Sequence, residues 1–288
     1  MNSLVTVAIP FYNDHTYLKM AIQSVINQSF TSWELILMDD GSTDGSLEIA
    51  KSFTSDKRIT VHSDGKNKGL PFRLNEIISM VNSDFYARMD ADDIMNPNRL
   101  EIELNYLHQH PEIDVLGTFA YVIDDNNKVF GKTFSNILKP STTKDIFDGG
   151  AFIHPSIMGK TTWFKKHPYN TDLRRMQDLA LWISSVEYSK FEILPEYLLF
   201  YRTGKTTANK YLKTQIYSRK FFYSEILKKE KKILLFLKLY CKSIIKTIVY
   251  SVVAVFSDVD IIIKKRYLGL SDDEINIAVK SLRDSIKV

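Results

Sequence analysis

Four short apolar runs in the first ninety residues constrain this chain most. Helical spacing separates each from the next. Leu4-Val5-Thr6-Val7-Ala8-Ile9 reads as a buried strand. A helix is expected from about Asp14 to Gln28, with Leu18, Ile22, Val25 and Ile26 on one face. Trp33–Met38, Arg58–His62 and Phe85–Met89 repeat the strand pattern, with helices between them over Thr43–Phe53 and Pro71–Val81. Strands this apolar need cover on both faces, and a helix between successive strands supplies it. The pattern implies an α/β fold with a mostly parallel mixed sheet flanked by helices. After Asn96-Pro97 a helix should run to about His110. Two strands should then turn at Asp125-Asn126-Asn127, followed by helices over Thr161–Lys166 and Met176–Tyr188 and a last strand over Phe191–Tyr201.

From about Thr206 the chain changes to long helical segments rich in Lys, Leu, Ile and Tyr. This divides it into residues 1–204, the α/β domain, and residues 205–288, a basic helical extension. The extension carries 18 Lys and Arg against 8 Asp and Glu, a net of +10, which leaves the first 204 residues at −6 of the total +4. A basic segment of this kind suits an anionic surface. Two readings stand for residues 228–266. An amphipathic basic helix there would lie in a membrane interface, with lysine stems reaching toward headgroups. Equally, the helices would pack on the first domain or join two copies in a homodimer. Nucleic acid is not expected, because the lysines alternate with aliphatics rather than stacking aromatics. Thr247–Ser257 gives 11 uncharged residues, too few for a membrane span. The single cysteine, Cys241, has apolar neighbours and is expected to be a buried structural thiol, which fits a cytoplasmic, reducing location. Ser271 and Glu274 form a capping box for a last helix.

Open α/β sheets bind ligands beyond the carboxyl ends of their strands. Three polar clusters fall there: Pro10-Phe11-Tyr12-Asn13-Asp14, Asp39-Asp40-Gly41-Ser42 and Asp90-Ala91-Asp92-Asp93. Taken singly, the first two also read as a helix cap and a turn. Three carboxylates within four residues repel one another and suit a hard divalent ion shared with a substrate's phosphates. Asp258-Val259-Asp260 repeats the spacing but ends an apolar helical stretch, so only position separates site from decoy. Asp40 can then accept from a ring N–H, while Asp90 and Asp92 hold an ion on a diphosphate.

The residues that fill these positions resemble family 2 glycosyltransferases of the GT-A (nucleotide-diphospho-sugar transferase) fold. The matches are Val7–Asn13, Met38–Asp44, Asn67-Lys68-Gly69-Leu70 with Leu74-Asn75, and Ala87–Asp93 with Pro97 and Arg99-Leu100, in the family's order. The resemblance implies a nucleotide pocket lined by Pro10, Tyr12 and Asp40, with Asp40 reading uracil. It places Asp90 on the ribose or sugar and makes Asp92 the main ligand of Mn²⁺ or Mg²⁺. Arg73 either approaches the diphosphate or sits solvated on its helix, and Asn75 and Arg88 support or pack. The family's Glu-Asp pair before a Leu-Trp helix maps onto Gln177-Asp178-Leu179-Ala180-Leu181-Trp182. Asp178 takes the place of the base, and Gln177 departs from the usual glutamate. His154 of His154-Pro155-Ser156 joins Gln177 and Trp182 on the expected acceptor side. The family also implies inversion at the anomeric carbon. The Gln-x-x-Arg-Trp signature of processive synthases is absent, so one sugar is expected per encounter. The expected donor is a UDP-sugar. The acceptor is a glycan or lipid-linked glycan of O-antigen, capsule or related polymer, met at the cytoplasmic face of the inner membrane. A phosphoryl-receiver domain would also place acids at strand ends, but leaves Pro10–Asn13 and Asp178 unexplained. An inactive glycan- or membrane-binding scaffold is the non-enzyme alternative.

Overall fold

The computed structural model describes residues 5–173, 175–204, 207–229, 231–256 and 264–287. The elements run β1 (Val5–Phe11), α1 (Leu18–Ile26), β2 (Trp33–Asp39), α2 (Ser46–Lys51), β3 (Ile59–Ser63), α3 (Leu70–Met80), β4 (Phe85–Arg88), β5 (Ile94–Met95) and α4 (Arg99–Gln109). They continue with β6 (Val115–Ile123), β7 (Val129–Lys132), α5 (Thr143–Asp145), β8 (Met158–Lys160), α6 (Thr161–Lys166), α7 (Gln177–Ser185) and β9 (Phe191–Arg202). Then come α8 (Ala208–Phe221), continued by a π-helical stretch (Phe222–Lys229), α9 (Ile233–Phe256) and α10 (Asp272–Ser285). Asp258–Asp260 lies outside the described residues.

The sheet order is β3-β2-β1-β4-β8-β6-β9-β5, with β7 paired to β6. β3, β2, β1 and β4 are mutually parallel, whereas β8 runs antiparallel to both β4 and β6. The expected alternation therefore holds for the first four strands, and the second half turns mixed. Every residue of β1 and β6 is buried, as strands covered on both faces require. One core packs Leu18, Ile22 and Val25 of α1 and Leu100, Leu104 and Leu107 of α4 on the sheet. The other packs Leu74, Ile77 and Ile78 of α3 with Trp163, Phe164, Leu181 and Trp182.

Several expectations need correction. Helix α1 begins at Leu18 rather than Asp14. The amides of Asn13, Asp14 and His15 are drawn sideways to Ser42 Oγ (3.0 Å), Ser46 Oγ (2.9 Å) and Asp44 Oδ2 (3.1 Å), and Asn13 adopts a φ of 56°. Trp182, expected toward an acceptor, is instead buried in the second core. It lies edge-on to Phe152 at 4.9 Å and to Phe191 at 5.7 Å. Cys241 is exposed, because α9 turns aliphatic side chains outward. Strand β5 escapes sequence reading at two residues, yet it pairs with Phe200 and Leu199 of β9.

The C-terminal segment returns to the first domain. Ala278 and Leu282 of α10 complete a core with Ile94, Tyr121, Ile123, Val129 and Phe200. Lys132 and Glu274 pair, and Asn27 Nδ2 donates to the carbonyls of Ser285 (2.9 Å) and Lys287 (2.7 Å). Residues 264–287 thus pack against residues of the first 204. Among the described residues, no helix is long and apolar enough to cross a membrane.

Candidate active site

At the end of β2 the chain must turn under a second loop. An added Cβ on Gly41 would meet the Lys66 carbonyl carbon at 2.8 Å, and Gly41 has a φ of 77°, so glycine alone permits the approach. The loop thereby delivers two amides to Asp40. Oδ1 accepts from Lys68 N–H (2.7 Å) and Oδ2 from Gly69 N–H (2.9 Å). Arg73, only 1% exposed, donates Nε–H to Asp40 Oδ1 (2.9 Å) and its other nitrogens to Glu76, Asp64 and the Lys66 carbonyl. The guanidinium thus holds the loop at the wall of the first cavity, and a solvated position on its helix does not describe it. Asp39 braces the same turn by accepting from Ser42 N–H and the Ser63 hydroxyl.

Beyond β4, Arg88 is fully buried and forks onto both oxygens of Asp90 (Nη1 to Oδ2, 3.0 Å), whose side chain stays about one-third exposed. The next residues are pinned by Arg202 at the end of β9. Its backbone N–H donates to Asp93 Oδ1 (2.8 Å), and its Nε–H donates to the Asp92 carbonyl (2.7 Å). Further bonds reach the Asp124 carbonyl and Asn127 Oδ1, and Tyr17 lies under the guanidinium at 4.1 Å. Burial, with Asp90 and Asp14 nearby, pushes the Asp92 carboxyl up to about 6. Burial, with Asp92 and Asp90 nearby, raises Asp93 well above the ordinary carboxylate value, and its Oδ2 finds no hydrogen-bond partner among the described residues. Carboxylate oxygens of Asp90, Asp92 and Asp93 lie within 4.8 Å of one another. A hard-oxygen set this close, with a buried unpartnered oxygen, fits Mg²⁺ or Mn²⁺.

Asp40, Asp90 and Asp92 line a cavity of about 610 Å³ with Pro10, Tyr12, Asp14, Lys68, Gly69 and Thr171, and Asp93 lies buried behind it. A second cavity, about 390 Å³, is lined by His154, Gln177, Asp178, Tyr201, Thr133 and Tyr267, and it shares Leu70 and Asp90 with the first. Asp178 sits in the first turn of α7. Burial raises its carboxyl, partly offset by the Leu179 amide and Arg88, and Asp90 raises it again. Gln177 is buried with Oε1 unpartnered among the described residues. His154 Nε2 lies 2.8 Å from Tyr169 Oη, and burial beside Arg88 keeps the ring neutral. Asn75 exchanges two hydrogen bonds with the Tyr169 backbone, which fixes that loop.

Of the expected residues, Pro10, Tyr12, Asp40, Arg73, Asp90 and Asp92 meet in the first cavity, and Asp178, His154 and Gln177 in the second. Trp182 belongs to neither. Sequence reading missed Thr133 and Tyr267. Residues Lys132 and Leu268 form an antiparallel bridge with hydrogen bonds of 3.0 and 2.9 Å, which brings Tyr267 to the cavity. Gly131 was its one signal: a Cβ there would lie 2.8 Å from Tyr267 Cβ.

A family model described as glycosyl transferase family 2 matches residues 6–171, more than half the chain. The chain belongs to glycosyl transferase family 2. It is 35% identical over 189 residues to the putative glycosyltransferase EpsE of Bacillus subtilis, spanning 64% of this chain and 66% of that protein. An uncharacterized glycosyltransferase of Methanocaldococcus jannaschii is 33% identical over 204 residues, spanning 69% and 70%. The chain thus matches about two thirds of the length of each. Among solved structures, S. aureus TarS 1–349 in complex with UDP-GlcNAc superposes with a TM-score of 0.59 at 16% identity, covering 98% of this chain and 81% of that one. The mannosyltransferase PcManGT from Pyrobaculum calidifontis, in complex with GDP-Man and Mn²⁺, gives 0.61 at 12%, covering 98% and 85%. The fold of this glycosyltransferase is GT-A, a mixed sheet flanked by helices with C-terminal helices attached.

Proposed function

We propose that this glycosyltransferase inverts configuration and moves one sugar per encounter from a UDP-sugar to a hydroxyl of a glycan acceptor in surface-polysaccharide synthesis. The observation that carries this reading is the shared wall between the two cavities. Asp90 borders both, with Asp40 and Asp92 on one side and Asp178 on the other. Asp40 Oδ1 is filled by two donors, whereas among the described residues Oδ2 accepts only from Gly69, so Oδ2 keeps a lone pair for the N–H of a pyrimidine ring. Pro10 and Tyr12 wall the same space, and Tyr12 is 47% exposed, a free ring face for a base.

On the opposite side, the acceptor hydroxyl gives its proton to the Asp178 carboxylate. Its oxygen then attacks the anomeric carbon from the face away from the diphosphate, and the C–O bond to the diphosphate breaks. Asp178 needs its charge for this, and neutral His154 and Gln177 beside it add no competing carboxylate. Asp92, with Asp90 and Asp93, would hold a divalent ion, which supplies positive charge to the departing diphosphate. Arg88 keeps Asp90 oriented between the two spaces.

Release of UDP should be followed across a panel of nucleotide-sugars with a glycan acceptor, with and without excess EDTA. Release with UDP-sugars alone, stopped by EDTA and restored by Mn²⁺ or Mg²⁺, is expected. Persistence in EDTA would overturn the metal role, and a preference for GDP-sugars would overturn the donor. Asp178→Asn should lower turnover by about 10²–10⁴-fold with donor affinity unchanged; near-normal turnover would remove it as the base.

A further inference from the structure

Helix α9 is amphipathic with its apolar side outward. Leu239, Ser243 and Tyr250 form the buried side and pack toward α8 and the core. On the opposite side stand Leu234, Leu237, Cys241, Ile245, Ile248 and Val252, spaced three or four apart. Leu234 is 83% exposed, and Ile245 and Ile248 are exposed by about 60%. From Leu234 to Val252 the stripe runs about 27 Å. Exposed apolar rows of this size are uncommon on a water-facing surface.

Charge identifies what covers it. Lys238, Lys242 and Lys246 run down one flank at intervals of four, and α9 contains no Asp or Glu. Two copies joined face to face through this stripe would bring two lysine rows together with no carboxylate on either helix to answer them, and Asp148, from outside the helix, pairs with Lys238 alone of the row among the described residues. An anionic lipid surface would meet the same row with phosphates, and its acyl region would take the aliphatics. A second feature continues the stripe at its start. Between α5 and α9 lies a cavity of about 640 Å³ with a floor of Ile233, Leu234 and Leu235 and a rim that includes Lys144, Lys231 and Lys238. Glu187 on that rim pairs with Lys232, and Asp148 beside it pairs with both Lys144 and Lys238, so four lysines face two carboxylates and the rim keeps a net positive charge of +2. An apolar floor beneath an ammonium rim matches the boundary between a headgroup and its chains.

We propose that the outer face of α9, together with the lysine-rimmed notch at its start, docks this enzyme on an anionic lipid bilayer. Docking is interfacial, since among the described residues no helix is long and apolar enough to cross. It goes beyond the sugar-transfer reading and does not depend on it.

The full chain should be sedimented with vesicles of phosphatidylcholine alone or mixed with phosphatidylglycerol. Binding is expected only to the anionic vesicles and should weaken as salt rises. Combining Leu234→Ser, Ile245→Ser and Ile248→Ser should abolish it, with UDP affinity and melting temperature as controls for folding. Lys242→Gln, which leaves the apolar face intact, should weaken binding about fivefold. The single, exposed Cys241 sits mid-stripe and permits a direct readout. An environment-sensitive fluorophore on it should shift to the blue with anionic vesicles. An unshifted fluorophore, or sedimentation of the triple variant equal to that of the unaltered chain, overturns the proposal. So does a dimer that forms without lipid and is lost in the triple variant, which would assign the face to a second copy.

Discussion

Two aspartates stand at the ends of β2 and β4, one strand apart, and each has an arginine, yet the pairs are built for different ends. Asp40 is 6% exposed and held from three directions, and its Arg73 also binds Asp64 and Glu76. Asp90 is held by Arg88 alone among the described residues, keeps about a third of its side chain open, and borders both cavities. Arg88 Nε finds no partner among the described residues. The first pair is part of the fold and fixes one oxygen for a ligand. The second leaves a charge exposed where two ligands would meet.

Breaking the first pair should therefore cost stability, and the effect should be the largest of those considered. Arg73→Met would leave Asp40 buried without its cation and Glu76 without its partner, while Asp64 would keep Lys68. Removing one member of a buried ion pair destabilises by about 3–5 kcal/mol. Urea unfolding should show a loss of this order, with donor affinity falling as the 65–69 loop releases Asp40. A loss below about 1 kcal/mol would mean that the Lys68 and Gly69 amides suffice, and the contrast between the pairs would fail.

The second pair should show itself in pH dependence. Burial raises the Asp178 carboxyl, Arg88 lowers it and Asp90 raises it. A base must be ionised to accept a proton, and a raised value means protonation begins at higher pH on acidification. The acid limb of kcat/KM should accordingly lie above the usual carboxylate range. Asp90→Asn removes a repelling charge and frees Arg88, and both changes favour the Asp178 carboxylate. The limb should then move to lower pH, whatever rate remains. A limb that stays in place would show that Asp90 and Asp178 do not sense one another.

What sequence could deliver follows the same division. The clusters after β1, β2 and β4 were legible because strand, turn and helix are neighbours in the chain, and their alternation is local. Placement of individual side chains was not. Arg73 looked solvent-accessible because the carboxylate that buries it, Asp40, lies 33 residues away. Trp182 and Asp178 share one helix, but Phe152 and Phe191 decide which of them enters the core. Cys241 was misjudged because apolar neighbours signal burial only when a helix turns its apolar side inward, and α9 does the reverse. The basic extension was legible as a charge asymmetry. The return of its last part to the sheet depends on long-range contacts such as Lys132 with Glu274, 142 residues apart.

That return carries the smallest predicted effect and the most local test of the shared wall. Tyr267 lies on the side of the second cavity, within ring-contact distance of Phe130 at 6.1 Å. An aromatic face there can cover an apolar face of a sugar, and such contacts are worth about 0.5–1.5 kcal/mol. Tyr267→Ala should therefore raise the acceptor KM about two- to tenfold while the donor KM stays constant, since Tyr267 does not line the first cavity. Gly131→Ala gives an independent route to the same result. The new methyl would sit 2.8 Å from Tyr267 Cβ, which is fixed to the backbone, so the backbone at the Lys132–Leu268 bridge must shift and carry the ring with it. Tyr267→Ala should leave the melting temperature nearly unchanged, because the Lys132–Leu268 bridge and the Lys132–Glu274 pair still hold the segment, whereas Gly131→Ala should lower it slightly by pressing on that bridge. If the donor KM rises as much as the acceptor KM, the two cavities are one binding space. Asp90 would then be a ligand to a single substrate instead of the divide between two.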